Sequence, residues 1–350
     1  MKEMRRALAV LAGFLLLVTA GCLTVEQKPA EEEGVAEARE KGVVYVYSAR
    51  HYGQMEPVFE EFMKETGIEV RFTFGKDAEI RERLKAEGRF TPADVYIAVD
   101  AGNLWLAAQE GLLQPVESEV LERNIPANFR DPENRWFGLT MRVRTLVYNT
   151  ERVSPEELST YEDLADPRWK DRLCLRPSTK VYTQSLVSSL IAAHGEDKAE
   201  EIVRGWVENN PRFIDSDTRI IETVAAGGCD VGVVMHYYLA RLLDRNPDLP
   251  VRIFWANQED RGVHVNIVGA GVTRYAKNRD EAVKLIEWLS SEKGQRLFAD
   301  GNFEYPINPE VEPHPLVKGW GEFRIDPINV AEYGRLQAKA IHLMERAGYR

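Results

Sequence analysis

Two long extended runs, residues 136–148 and 263–273, interrupt an otherwise regular alternation of short strand-type and helix-type segments. Alternation on that scale builds βαβ units, whose right-handed crossovers lay strands in parallel and helices on the sheet faces. An extended run with no helix behind it is read as a strand crossing from one sheet region to another. Two such crossings divide a chain into two lobes with a hinge between them. The expected fold class is therefore α/β, with two lobes, each a mixed, mostly parallel sheet flanked by helices, and two hinge crossings.

The segments themselves are legible. Residues 43–47 are β-branched and aromatic, as strands are, and residues 55–66 carry Val58, Phe59, Phe62 and Met63 at helical spacing before Gly67 stops them. A strand at 68–74, a helix at 77–86, a strand at 93–99 and a helix at 101–109 complete the first series. The second series has a strand near Leu173, helices at 182–193 and 197–209, a strand near Phe213, a helix at 218–226, a strand at 231–235 and a helix reaching Leu243. Helices at 281–290 and 294–299, a proline-marked connection at 303–308 and a helix at 328–347 close the chain.

The first residues read as an address. Lys2, Arg5 and Arg6 precede an apolar stretch at 7–18 that is too short to span a bilayer, and Thr19-Ala20-Gly21 places small residues before Cys22. This start resembles a bacterial lipoprotein signal, residues 1–22, which implies cleavage before Cys22 and a lipid on its sulfur as the only membrane contact. Residues 23–41, rich in Glu and Ala, follow as a tether. With Cys22 so used, Cys174 and Cys229 remain, and an even remainder in an oxidising compartment favours a disulfide between them. A formal net charge of −11 with no basic stripe argues against nucleic acid as a partner.

Ligands of open parallel sheets bind at the carboxyl ends of strands, where loops and helix starts converge. Tyr52, Tyr182, Tyr237 and Tyr238 each follow such an end. The adjacent pair is placed in a strand-to-helix turn, because helical neighbours diverge by roughly 100°. Tyr45, Tyr47 and Tyr96 are read as strand residues, and His194, His236 and His264 as structural. Ionising one phenol at pH 7 costs about 4 kcal/mol against a pKa near 10, and a strongly charged cation at the oxygen can offset that. Ferric iron suits phenolate oxygen, whereas zinc favours Cys and His and calcium favours carboxylates. Arg142 or Arg50 could hold a small anion beside such a metal. Arg142 and Arg144, two apart on one extended run, are expected on one side, one of them solvated or paired with a carboxylate.

Ordered motifs then point to a family. They are Tyr47-Ser48-Ala49-Arg50-His51-Tyr52, Asp100-Ala101-Gly102-Asn103-Leu104-Trp105, Gly111-Leu112-Leu113-Gln114-Pro115-Val116, Tyr182-Thr183-Gln184-Ser185-Leu186, Tyr237-Tyr238-Leu239-Ala240-Arg241, Gly262-Val263-His264-Val265-Asn266 and Tyr305-Pro306-Ile307-Asn308. Through these the chain resembles the bacterial ferric-iron-binding proteins of ABC transporters, two-lobed periplasmic binding proteins of type II. The resemblance implies Fe3+ as cargo, captured in the periplasm or cell envelope and passed to an ABC permease with its ATPase. It matches Tyr182, Tyr237 and Tyr238 to second-lobe ligands, Tyr52 to a first-lobe tyrosine and His51 to an imidazole ligand of some members. Other members fill first-lobe positions with carbonate, bicarbonate or a related anion. The lobes are expected at 42–138 plus 262–300 and at 139–261 plus 301–350, in a monomer.

Two other readings compete. Aromatic side chains in the cleft could box an organic cation such as a polyamine or thiamine, which calls for acidic partners and tryptophan. His51 could also serve its loop as a hydrogen-bond donor. An enzyme is not expected, since no GxSxG, HExxH, phosphate-binding glycine loop or paired cysteine-histidine signature occurs.

Overall fold

The computed structural model describes residues 42–50 and 55–350, all within one compact unit. The leader, Cys22, the tether, His51 and Tyr52 lie outside the described residues. Along the chain run β1 (Val43–Ser48), α1 (Met55–Thr66), β2 (Glu69–Phe74), α2 (Asp77–Glu87), β3 (Val95–Ala98), α3 (Ala101–Gln109), α4 (Glu119–Asn124), β4 (Phe137–Asn149) and β5 (Leu173–Leu175). There follow α5 (Val181–His194), α6 (Glu196–Glu208), β6 (Arg212–Phe213), α7 (Asp217–Ala225), β7 (Val231–Met235), α8 (His236–Arg245), β8 (Val251–Phe254) and β9 (Val265–Val272). The chain closes with α9 (Arg279–Ser290), α10 (Glu292–Asp300), β10 (Tyr305–Pro306), α11 (Pro315–Lys318) and α12 (Ala331–Arg346).

Strand order is β2-β1-β3-β9-β4-β7-β5-β6, with β8 and β10 also paired to β4. The pairs made by helical crossovers are parallel: β1 with β2 and β3, and β5 with β6 and β7. β4 is what joins the two groups. Its residues Phe137 to Val143 pair with β9, and its residues Arg144 to Tyr148 pair with β7. One strand therefore runs through both halves of the sheet, and nearly all of it is buried.

The second extended run behaves differently. β9 pairs only with β3 and the first part of β4, so the return connection is residues 255–264, where Val263 bridges Ile325 and the Arg144 N–H donates to the His264 carbonyl. β9 is closely packed in that half: a Cβ on Gly269 would lie 2.6 Å from Leu104 and 2.7 Å from the Phe137 carbonyl. The short elements α4 and β8 are not revealed by the alternation of longer segments.

α12 packs against both α3 and α5. Gly334 permits this, since a Cβ there would stand 2.5 Å from the Trp105 Cβ. In the second half of the sheet Cys174, within β5, is bonded to Cys229, just before β7, with Cα atoms 5.8 Å apart. β5 and β7 are adjacent strands.

Candidate functional site

Because β5 and β7 are parallel neighbours, the helices that follow them begin on the same edge of the sheet. α5 opens at Val181 and α8 at His236, so Tyr182, Tyr237 and Tyr238 all occupy first turns. The tyrosine pair is thus helical, and the expectation of an irregular turn is corrected. Helical Cα–Cβ bonds lean toward the N-terminus, so first-turn side chains project past the helix end with no earlier turn to obstruct them. Long rings can converge there even from consecutive residues. The Tyr237 and Tyr238 ring centroids lie 4.4 Å apart at 33°. Neither N-cap residue, Lys180 or Met235, caps its helix with a side chain, and the positive end of each helix dipole favours negative charge near these phenols.

Arg142 of β4 links the two helix starts. Its guanidinium carbon stands 5.5 Å from the Tyr182 ring centroid and 5.9 Å from that of Tyr237, and its Nη2 donates to the Val99 carbonyl. Arg241, in the second turn of α8, lies 5.2 Å and 5.4 Å from the ring centroids of Tyr237 and Tyr238. Two cations thus flank three phenols, of which Tyr237 is buried and the other two are partly exposed. Arg144 is buried like Arg142, so the solvated alternative for either is excluded. Its guanidinium pairs with Asp217 at 3.4 Å.

Acids gather behind Arg142. Burial pushes the Asp100 carboxyl up to about 7, against hydrogen bonds from the Gly102 N–H and the Ser185 hydroxyl and the attraction of Arg142. Burial likewise pushes Asp77 up to about 6, against a hydrogen bond donated by the Tyr96 hydroxyl. Arg50, the other arginine offered for an anion, has internal partners. Its Nη1 lies 2.8 Å from Glu304 and its Nη2 donates to the Phe298 carbonyl at 2.8 Å.

His236 is structural, as read. The Val143 N–H donates to its Nδ1 at 3.1 Å, which leaves Nε2 to donate to the Phe303 carbonyl at 2.9 Å. Burial pushes its pKa down to about 4. His194 meets Glu162 at 2.7 Å, and His264 is buried beside Tyr333. Sequence reasoning missed Glu304, Asn302 and Asp100. The one available signal for Glu304 was a lone charge inside Phe303-Glu304-Tyr305-Pro306-Ile307. Among the described residues, no group of three or more His, Cys, Asp or Glu side chains is placed to hold a metal.

A mixed sheet whose halves share one long strand, with helix starts and polar side chains gathered near that junction, is the architecture of type II periplasmic binding proteins. The chain belongs to the bacterial extracellular solute-binding protein family, whose pattern matches residues 82–318. It is 42% identical over 318 residues to iron uptake protein A1 of Synechocystis, covering 89% of this chain and 88% of that one. Among solved structures it is similar to the Trichodesmium protein IdiA (FutA) in complex with iron and citrate ligands, at 44% identity and a TM-score of 0.85, covering 88% of this chain and 100% of that one. The ferric binding protein of Campylobacter jejuni superposes with a TM-score of 0.82 at 35% identity, over 88% and 100% of the two chains.

Proposed function

We propose that this chain is an extracytoplasmic solute-binding protein that captures ferric iron through tyrosine phenolates and delivers it to an ABC permease with its ATPase. The observation that carries the reading is the meeting of two helix starts, with Tyr182 and Tyr237 beside Arg142 and Tyr238 against Tyr237. Three phenolates balance three positive charges. When Tyr182 and Tyr237 carry negative charge, the guanidinium of Arg142 lies beside them to compensate it. His51 and Tyr52, which follow β1 in sequence, complete the donor set in this reading. Arg142 holds a small oxyanion, carbonate or bicarbonate, at the metal. An iron and citrate complex in a relative supports an anion of this kind.

The organic-cation reading fits less well. Cation–π binding needs open ring faces, and those of Tyr237 and Tyr238 already meet Arg241 and each other. The lobes divide where β4 changes partners. Cys22 carries the lipid that holds a monomer at the membrane, and the Cys174–Cys229 bond suits the oxidising envelope.

Titration with ferric citrate tests the reading. One equivalent of iron is expected to be retained with a visible band from phenolate-to-iron charge transfer, and acid is expected to release it as the phenols regain protons. A colourless protein that retains no iron would overturn it.

A further inference from the structure

Three of the four residues between α10 and β10, Asn302, Phe303 and Glu304, touch both sides of the site. Glu304, fully buried, accepts from Arg50 Nη1 at 2.8 Å, from the Thr140 hydroxyl and from Asn302 Nδ2 at 2.5 Å. Asn302 Oδ1 accepts in turn from Arg241 Nη2, and Arg241 is the cation lying over the rings of Tyr237 and Tyr238. The Phe303 carbonyl accepts from Nε2 of His236, the residue just before that pair. One tripeptide therefore grips α8 at two points and Arg50 at a third.

Two further observations describe how this segment is held. Phe303 has a φ of 57°, in the left-handed region that bulky L residues avoid and that persists only when the surroundings fix it. Here it closes the end of α10, where the Glu304 N–H donates to the Ala299 carbonyl at 3.0 Å, and the hydrogen bond from His236 to the Phe303 carbonyl ties that helix end to α8. Burial opposes ionisation of Glu304, yet Arg50 and Arg142, with the hydrogen bonds from Thr140 and Asn302, outweigh it and hold the carboxyl below its usual range. Glu304 is thus a charged hub set between the strand end that leads into His51 and the helix start that carries Tyr237.

We propose that Asn302 and Glu304 are positioning residues of the iron site: through Arg241 they fix the rings of Tyr237 and Tyr238, and through Arg50 they tie that geometry to the end of β1. The proposal rests on the ferric reading above. Loss of the Asn302 side chain leaves Arg241 without this acceptor, so the guanidinium can swing off the rings and the phenols lose their fixed approach to a shared metal. Outer residues that orient ligands typically change metal affinity by about 10–100-fold.

The test compares the full chain with Asn302→Ala, Arg241→Ala and the double variant. Each is titrated with ferric citrate and then challenged with a chelator, while circular dichroism and the thermal midpoint monitor the fold. Arg241 is half-buried near a helix surface, so its variant keeps the test usable if Asn302→Ala fails to fold. The expected result is a folded protein that still takes one iron, with a displaced charge-transfer band and iron loss about 10–100-fold faster. The double variant should be no worse than the worse single, because both act along one path. Unchanged band and release in folded variants would overturn the proposal, and so would effects that simply add. Absence of the band in the unaltered protein would overturn the ferric reading itself, so the two failures are told apart by which sample shows them.

Discussion

Tyr182, Tyr237 and Tyr238 each sit on a first helical turn beside an arginine, Arg142 for the first two and Arg241 for the last two, and a change to Phe removes a donor without removing the ring. Tyr182→Phe, Tyr237→Phe and Tyr238→Phe are each expected to weaken ferric affinity by at least about 100-fold, the upper end of what outer residues alone cause, and to shift or abolish the visible band. Tyr45→Phe, a change in β1 whose tyrosine neighbours Arg71, is expected to leave iron uptake unchanged. Competition titration against a chelator checks all four. The trio could be read from sequence because each member falls shortly after an apolar strand run and at the start of a helical pattern, a local signal. Arg50 could not be placed, because its partner Glu304 stands 254 positions away and nothing local announces the pairing. His51 and Tyr52 rest on motif resemblance and lie outside the described residues.

The helix start at His236 makes α8 sensitive to pH. Its ordinary pKa near 6.5 falls to about 4 in the folded chain through burial. A depressed folded value means stability that is fully present above pH 6.5 and is lost as pH falls through 4, because the unfolded chain takes the proton first. The shift corresponds to roughly 3 kcal/mol at most. Asp100 and Asp77, with raised values, act in the opposite sense: their contribution is present below the ordinary carboxylate range and is lost as pH rises through about 7 and about 6. Urea unfolding at pH 7 and pH 4.5 should therefore show a larger stability loss in the unaltered protein than in His236→Asn; equal losses would refute this assignment. At the level of elements the sequence was readable where segments were long. β4 was visible as a run with no helix behind it, but its switch of partners at Val143 and Arg144 depends on β7 and β9, which arrive much later in the chain. β8, four residues long, offers too little periodicity to be seen.

Across the molecule two features secure the scaffold, one within the second half of the sheet and one where helices meet. The Cys174–Cys229 bond spans 55 positions, and closing a loop of that length restricts the unfolded chain by up to about 4 kcal/mol. Reduction should lower the urea midpoint markedly, and the Cys174→Ser/Cys229→Ser variant should match the reduced protein. Gly334 lets α12 lie on α3 while it also packs on α5. Gly334→Ala should destabilise by about 1–3 kcal/mol through overpacking against Trp105, seen as a lower thermal midpoint. Both effects concern the scaffold and leave the cargo untested. Diffraction from crystals grown with ferric citrate, recorded at the iron absorption edge, addresses that most directly. We expect one anomalous peak in coordination contact with the phenol oxygens of Tyr182, Tyr237 and Tyr238. A peak bound elsewhere, or none beside those three oxygens, would contradict the account.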